Sequence, residues 1–258
     1  MSAPRLTIGY STLGDRVHNI EFPTAQDDTE ILVVIQGECS SLPLSASMRR
    51  DIRFLPLDSL GVARSRNAVI SSAKGNYIAF ADDDARPLSR GQSEALAFLD
   101  ANADVAVLAG RSVDLTGHPR KRYAKGARKL NRWNSAKFGT IEIIARKAPL
   151  LSRKLTFDER FGAGATNYLG DEYIFLTDAM KLGLRCLFRP VDLAEHDAES
   201  SGTNFGTPAD ASVRSAIFDR VFGRAAPVAR FAFVLRNPRK LGGLGFACRF
   251  ITGRRADA

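Results

Sequence analysis

Cysteine is scarce in this chain: three in 258 residues, Cys39, Cys186 and Cys248, widely spaced and odd in number. Such a set builds neither a disulfide framework nor a zinc knuckle, and reads as buried reduced thiols. No apolar run reaches the roughly 18–20 residues that span a bilayer. Residues 1–5 lead into a short β-like segment instead of a signal-peptide core, so the expected location is the cytoplasm. Internal repeats and low-complexity segments are missing. Acids are absent from residues 118–137, which carry eight Lys/Arg, and residues 211–258 hold ten Lys/Arg against Asp219 and Asp257. Each stretch contributes +8 to a net +9, which leaves −7 for the remainder. The core is therefore mildly acidic, and the basic character of one insert and one tail points to an anionic partner there.

A hydrophobic content of 45% is enough to bury one large α/β core, with room for an appendage. Residues 6–10 read as a first strand followed by a polar turn over residues 11–15. The continuous apolar run 31–35 reads as a buried parallel strand, and 52–55 as a third. A helix over 64–73 stops at Lys74-Gly75-Asn76, and a strand over 77–81 runs directly into Asp82-Asp83-Asp84. A helix over 93–99 and a strand over 105–109 follow. Alternating strands and helices predict a mostly parallel sheet covered on both faces. The basic stretch 113–137 reads as a mobile loop and 138–145 as a strand. A helix over 172–182 closes at Gly183, and a short strand over 184–188 ends at Arg189-Pro190. From residue 211 the pattern is helical, with breaks at Gly223, Pro227, Pro238 and Gly242-Gly243.

Two features carry chemistry. Three adjacent carboxylates at the C-terminal end of a strand repel one another unless a cation compensates, and ligands of open α/β sheets bind at that edge. A hard divalent ion suits such oxygens and bridges to phosphate. One such aspartate is explained by a helix N-cap, three poorly. Upstream, Gly61-Val62-Ala63-Arg64-Ser65-Arg66-Asn67 opens a helix, and arginines at a helix N-terminus suit a pyrophosphate.

In this order and spacing, residues 61–68 and Lys74-Gly75-Asn76-Tyr77-Ile78-Ala79-Phe80-Ala81-Asp82-Asp83-Asp84 closely resemble the family 2 glycosyltransferases. These are inverting enzymes of the GT-A fold with a Gly-x-x-x-Ala-Arg-Asn helix and then Gly-x-Tyr-hydrophobic-x-Phe-x-Asp-x-Asp. Phe157-Asp158-Glu159-Arg160-Phe161-Gly162-Ala163-Gly164 and Gly170-Asp171-Glu172 resemble the family's acceptor-side segment, which has Gly-Glu-Asp before an amphipathic helix. The resemblance covers residues 5–205 and implies a GT-A domain over residues 1–210 with a basic, aromatic helical extension over 211–258. It implies a nucleotide-diphosphate sugar donor, a UDP-sugar first, with Mn²⁺ or Mg²⁺. By resemblance Asp84 is the principal metal ligand, Asp82 touches the ribose or the metal shell, and Asp83 lies on the donor side. Ser11, Thr12, Arg66 and Asn67 belong to the donor side as well. His196, in Glu195-His196-Asp197, matches a histidine that closes over metal and diphosphate. The aspartate that relatives use for the base is missing, and Gln36 or Glu38 stands near its place. The Glu-Asp pair is reversed as Asp171-Glu172, and spacing to Gly183 favours Glu172 over Asp171 as catalytic base.

The implied partner is a glycan or lipid-linked glycan acceptor of surface-polysaccharide assembly. The basic, aromatic tail suits either an anionic membrane surface that Phe218, Phe222, Phe231, Phe233, Phe246 and Phe250 would enter or a helical cap in which those phenylalanines pack on the domain, and both can hold. The insert's Tyr123 and Trp133 suit sugar stacking or phosphate contact, or a solvated loop. A nucleotidyltransferase also uses metal-bound aspartates, but no glycine-rich phosphate loop ending in lysine stands near the N-terminus. A nucleic-acid protein would be basic across its main face, whereas this core is acidic and carries no recognised nucleic-acid motif.

Overall fold

The computed structural model describes residues 3–197, 207–237 and 244–253. Strand β1 (Leu6–Leu13) turns Leu6, Ile8 and Tyr10 to one layer of the core and Thr7, Gly9 and Ser11 to the other. Strand β2 (Thr29–Gln36) lies parallel beside it; helix α1 (Leu44–Ser47) leads to β3 (Ile52–Leu57), parallel to β2. Helix α2 (Val62–Ser72) then crosses back to β4 (Tyr77–Asp82), parallel to β1 on its other side. Along the chain follow β5 (Arg86–Pro87), α3 (Ser89–Ala101), β6 (Val105–Val113), β7 (Arg128–Lys129), β8 (Ile143–Arg146), α4 (Lys147–Ser152), α5 (Asp171–Lys181) and β9 (Arg185–Glu195). Helices α6 (Pro208–Phe222), α7 (Ala226–Arg236) and α8 (Leu244–Thr252) complete the described chain. The strand order is β3-β2-β1-β4-β8-β6-β9-β5, with β7 paired to β9. Strand β8 runs antiparallel to both β4 and β6 and joins two parallel halves.

Alternation of buried residues fills both layers. Leu32 and Val34 of β2 join the layer under α2 and α5, while Ile31, Val33 and Ile35 join the layer under α3. Helix α2 comes so near the sheet that a Cβ at Gly9 would stand 2.2 Å from a Val69 methyl. The parallel register puts Ser11 beside Asp82 and Leu13 beside Gln36, so the carboxyl ends of β1, β2 and β4 share one edge.

Four expectations need correction. The polar pair Ser11 and Thr12 does not begin a turn; both continue β1 to Leu13, because Ser11 pairs with Val34 and Asp82 and Thr12 with Ile35. Only the second half of 138–145 is strand: a 3₁₀ turn (Thr140–Glu142) precedes β8. Pro190 does not end its strand. Strand β9 runs on to Glu195, because a register shift opposite Gly110 leaves the proline unpaired in a bulge. The basic insert is not a free loop. Its β7 pairs with Phe188 and Leu187, Leu130 is in the core, and Tyr123 stacks on Phe138 and Phe188 while its hydroxyl donates to the fully buried Glu142 (2.5 Å).

The C-terminal helices pack on the sheet domain. Val213, Ile217 and Val221 of α6 bury Phe161, Leu169 and Ile174, and a second cluster holds Ala211, Phe246 and Phe250 with Phe218 and Phe233 against it. Of the six tail phenylalanines, five are thus engaged with protein and Phe231 stays exposed. Gly223 does break the helix; Pro227 sits in the first turn of α7, where a missing N–H costs nothing. Pro238 and Gly242-Gly243 lie outside the described residues. No described helix is long and apolar enough to cross a membrane.

Candidate active site

The site forms where β4 delivers its three aspartates beyond the sheet edge, and each takes a different partner. Asp83 points back into the protein. It accepts from the Thr12 hydroxyl (2.7 Å) and from Arg16 through Nε (3.0 Å) and a terminal nitrogen (2.5 Å). Through these bonds Thr12 and Asp83 pin the 3₁₀ turn Gly14–Asn19 to the end of β4. Asp84 faces His196, whose Nε2 lies 3.1 Å from its Oδ1. That hydrogen bond holds the Asp84 carboxyl below the usual range, outweighing its partial burial. Asp82 is turned toward α2 and accepts from Arg66 at 3.0 Å.

Arg66 is the centre of the arrangement. It is 5% exposed, lies over the Phe157 ring, and its second arm donates to Asp171. Burial alone would lower the guanidinium's pKa; Asp171 and Asp82 reverse that and raise it. One cation thus joins the strand-end carboxylates to the first turn of α5. That turn begins after Gly170 in the left-handed conformation (φ 90°), which only glycine adopts without strain, and places Asp171 and Glu172 at the positive end of the helix. Asp171 is buried against Arg66 and Gly162. Glu172 is half-buried, and its pKa is pushed up to about 8 by burial first and by Asp171 second, against the lowering effect of Arg66.

Three more of the expected donor-side residues, Ser11, Gln36 and Asn67, tie elements of the site together. Ser11 accepts from the Ser65 hydroxyl at 2.9 Å, tying β1 to α2. Gln36 is buried and accepts from the Gly61 amide at 2.7 Å, fixing the entry to α2. Asn67 donates to the Phe157 carbonyl (3.0 Å) and accepts from the Phe157 amide (2.7 Å), which locks the 157–164 segment onto α2. Val62 donates to the Ala163 carbonyl in the same joint. Glu38 is exposed on the loop after β2. The structure brings Asp82, Arg66, Asp171 and Glu172 into one charge cluster and Asp84 with His196 into a second. It does not gather Asp82, Asp84 and His196 into one metal-ligand set: among the described residues no three His, Cys, Asp or Glu side chains are so placed.

A cleft of about 200 Å³ opens beside Asp84 and His196, lined also by Glu21, Arg86, Leu115 and Glu195. Arg86 is held there between Glu21 and Glu195. Arg16, Glu21 and Arg86 escape a sequence reading, since isolated charges carry no periodic signal. Gly162 was visible as part of a motif; its reason is spatial, because a Cβ there would lie 2.8 Å from the Asp171 carboxyl carbon.

The model of "Glycosyl transferase family 2" matches residues 20–160. The succinoglycan biosynthesis protein ExoO of Rhizobium meliloti is 28% identical over 201 residues, 70% of this chain and 56% of the relative, so the matched region spans little more than half of that protein. Among solved structures, Staphylococcus aureus TarS 1–349 in complex with UDP-GlcNAc superposes with a TM-score of 0.66 at 14% identity, over 96% of this chain and 79% of that one. The mannosyltransferase PcManGT from Pyrobaculum calidifontis, in complex with GDP-Man and Mn²⁺, gives 0.55 at 18% identity, over 98% and 80%. These two likenesses show the fold, a GT-A arrangement.

Proposed function

The chain belongs to glycosyl transferase family 2, and from that premise we propose that it transfers a sugar from a nucleotide-diphosphate sugar, a UDP-sugar, to a hydroxyl of a glycan or lipid-linked glycan, inverting the anomeric carbon, in surface-polysaccharide assembly. The likeness to ExoO supports the polysaccharide setting, and the TarS complex supports the uridine donor. The observation that carries the reading is the buried Arg66, which couples the donor edge at Asp82 to the α5 carboxylates.

A divalent cation, Mn²⁺ or Mg²⁺, fits the donor set. Such ions are commonly held by one or two protein groups and the substrate's phosphates instead of an all-protein cage, and the Asp84 carboxylate with the His196 imidazole supplies such a pair. When bound, the ion neutralises charge building on the leaving diphosphate. Asp82, oriented by Arg66, serves the ribose side. Glu172 accepts the acceptor's proton while that oxygen bonds to the anomeric carbon and the carbon–diphosphate bond breaks on the opposite face. A base whose pKa lies near the working pH is effective in this role. Asp171, committed to Arg66, positions the turn.

The test is turnover of a panel of nucleotide sugars with and without chelator. Asp84→Ala is expected to abolish metal-dependent turnover at unchanged Tm. Full activity of that variant, or of the wild type in excess chelator, would sink the metal assignment.

A further inference from the structure

Helix α7 is amphipathic in reverse. Its inward face carries Ala226, Ala229, Arg230 and Phe233, and its outward face Val228, Phe231, Ala232 and Leu235, both at the i, i+3, i+4, i+7 spacing of one helical stripe. Val228, Phe231 and Leu235 are 73%, 53% and 66% exposed. The rotation is fixed from inside: Arg230 is buried and pairs with Asp219 at 3.1 Å and with the Ser215 hydroxyl on α6. An apolar stripe is therefore held toward solvent by an ion pair whose arginine is buried and whose carboxylate is exposed.

The charge around the stripe selects its occupant. Arg224 and Arg236 are exposed at its two ends, and Arg249 is exposed on α8, which packs against α7. Residues 220–256 contain nine Lys/Arg and not one acid. A second copy docking through the same patch would set arginine against arginine with no carboxylate to answer it. An anionic bilayer answers both features, taking the apolar side chains below its headgroups and the arginines among them. We infer that the outward face of α7 is a membrane-docking surface for anionic lipid, entered by Val228, Phe231 and Leu235 and flanked by Arg224 and Arg236. This places the lipid contact on one helix face and not on the tail's other phenylalanines, which are spent on protein packing. It stands on this surface alone and does not depend on the proposed donor, metal or acceptor.

The test is co-sedimentation of the full chain with vesicles of phosphatidylglycerol and phosphatidylcholine in equal parts, and of phosphatidylcholine alone, at low and high salt. Binding to the anionic vesicles at low salt is expected, weakening with salt. Phe231→Ser with Leu235→Ser should reduce partitioning about tenfold or more, and Arg224→Gln or Arg236→Gln about fivefold each, all at unchanged Tm because these side chains are exposed. No binding to anionic vesicles, or equal binding by the double serine variant, overturns the inference. So does a dimer in sedimentation velocity that the serine pair dissolves while vesicle binding persists.

Discussion

Arg66 is buried and has two carboxylates to satisfy. Its planar fork meets Asp82 with one arm and Asp171 with the other, a geometry a lysine ammonium does not reproduce. Arg66→Lys keeps the charge but releases one carboxylate, and turnover should fall about tenfold or more with the fold retained; wild-type turnover in that variant would deny the coupling. Glu172 makes the complementary prediction. Its carboxylate forms only as pH rises through about 8, so the rate should climb across that range, and Glu172→Gln should lose about 10²-fold or more and flatten the profile. The stability sign follows from the same shift. The unfolded chain releases this proton near 4.5, the folded chain near 8. Between them the folded state binds more protons, so stability falls as pH rises through the window. Glu172→Gln escapes that loss, and its Tm advantage over the wild type should widen from pH 5 to pH 8; a gap independent of pH would refute the raised pKa.

At the scale of elements, the site is a joint between α2, the 157–164 segment and the first turn of α5. Asn67 clamps that segment, and Gly162 lets it pass over Asp171 and Val62. Its φ of 98° is left-handed, and a Cβ there would come within 2.8 Å of both the Asp171 carboxyl carbon and a Val62 methyl. Gly162→Ala should therefore cost stability of about 1–3 kcal/mol and displace Asp171. Thermal melts and turnover check this together; an alanine variant with unchanged Tm and rate would show that the joint yields.

For the molecule as a whole, the C-terminal helices are part of one packed body. Cutting the chain at Ser212 strips Val213, Ile217 and Val221 from Phe161, Leu169 and Ile174, so the truncated protein should melt far lower or aggregate, as circular dichroism and light scattering would report; a cooperative melt at the full-length Tm would contradict the packing. The sequence alone determined the strand–helix alternation, the β4 run into Asp82-Asp83-Asp84, the α2 and α5 motifs and the two basic stretches, because hydrophobic period, glycine stops and charge density are local properties. It gave the three aspartates roles only through the family resemblance, since which one faces His196, which Arg66 and which Arg16 depends on residues up to 112 positions apart. It read the insert as loose because Tyr123's stacking partner Phe188 comes from a distant strand, and it ended β9 at Pro190 because the bulge that shelters that proline belongs to the pairing with β6. Tertiary structure decided those contacts, and it decided which face of α7 meets water, because Arg230, buried and paired with Asp219 of α6, turns the helix against its own hydrophobic pattern.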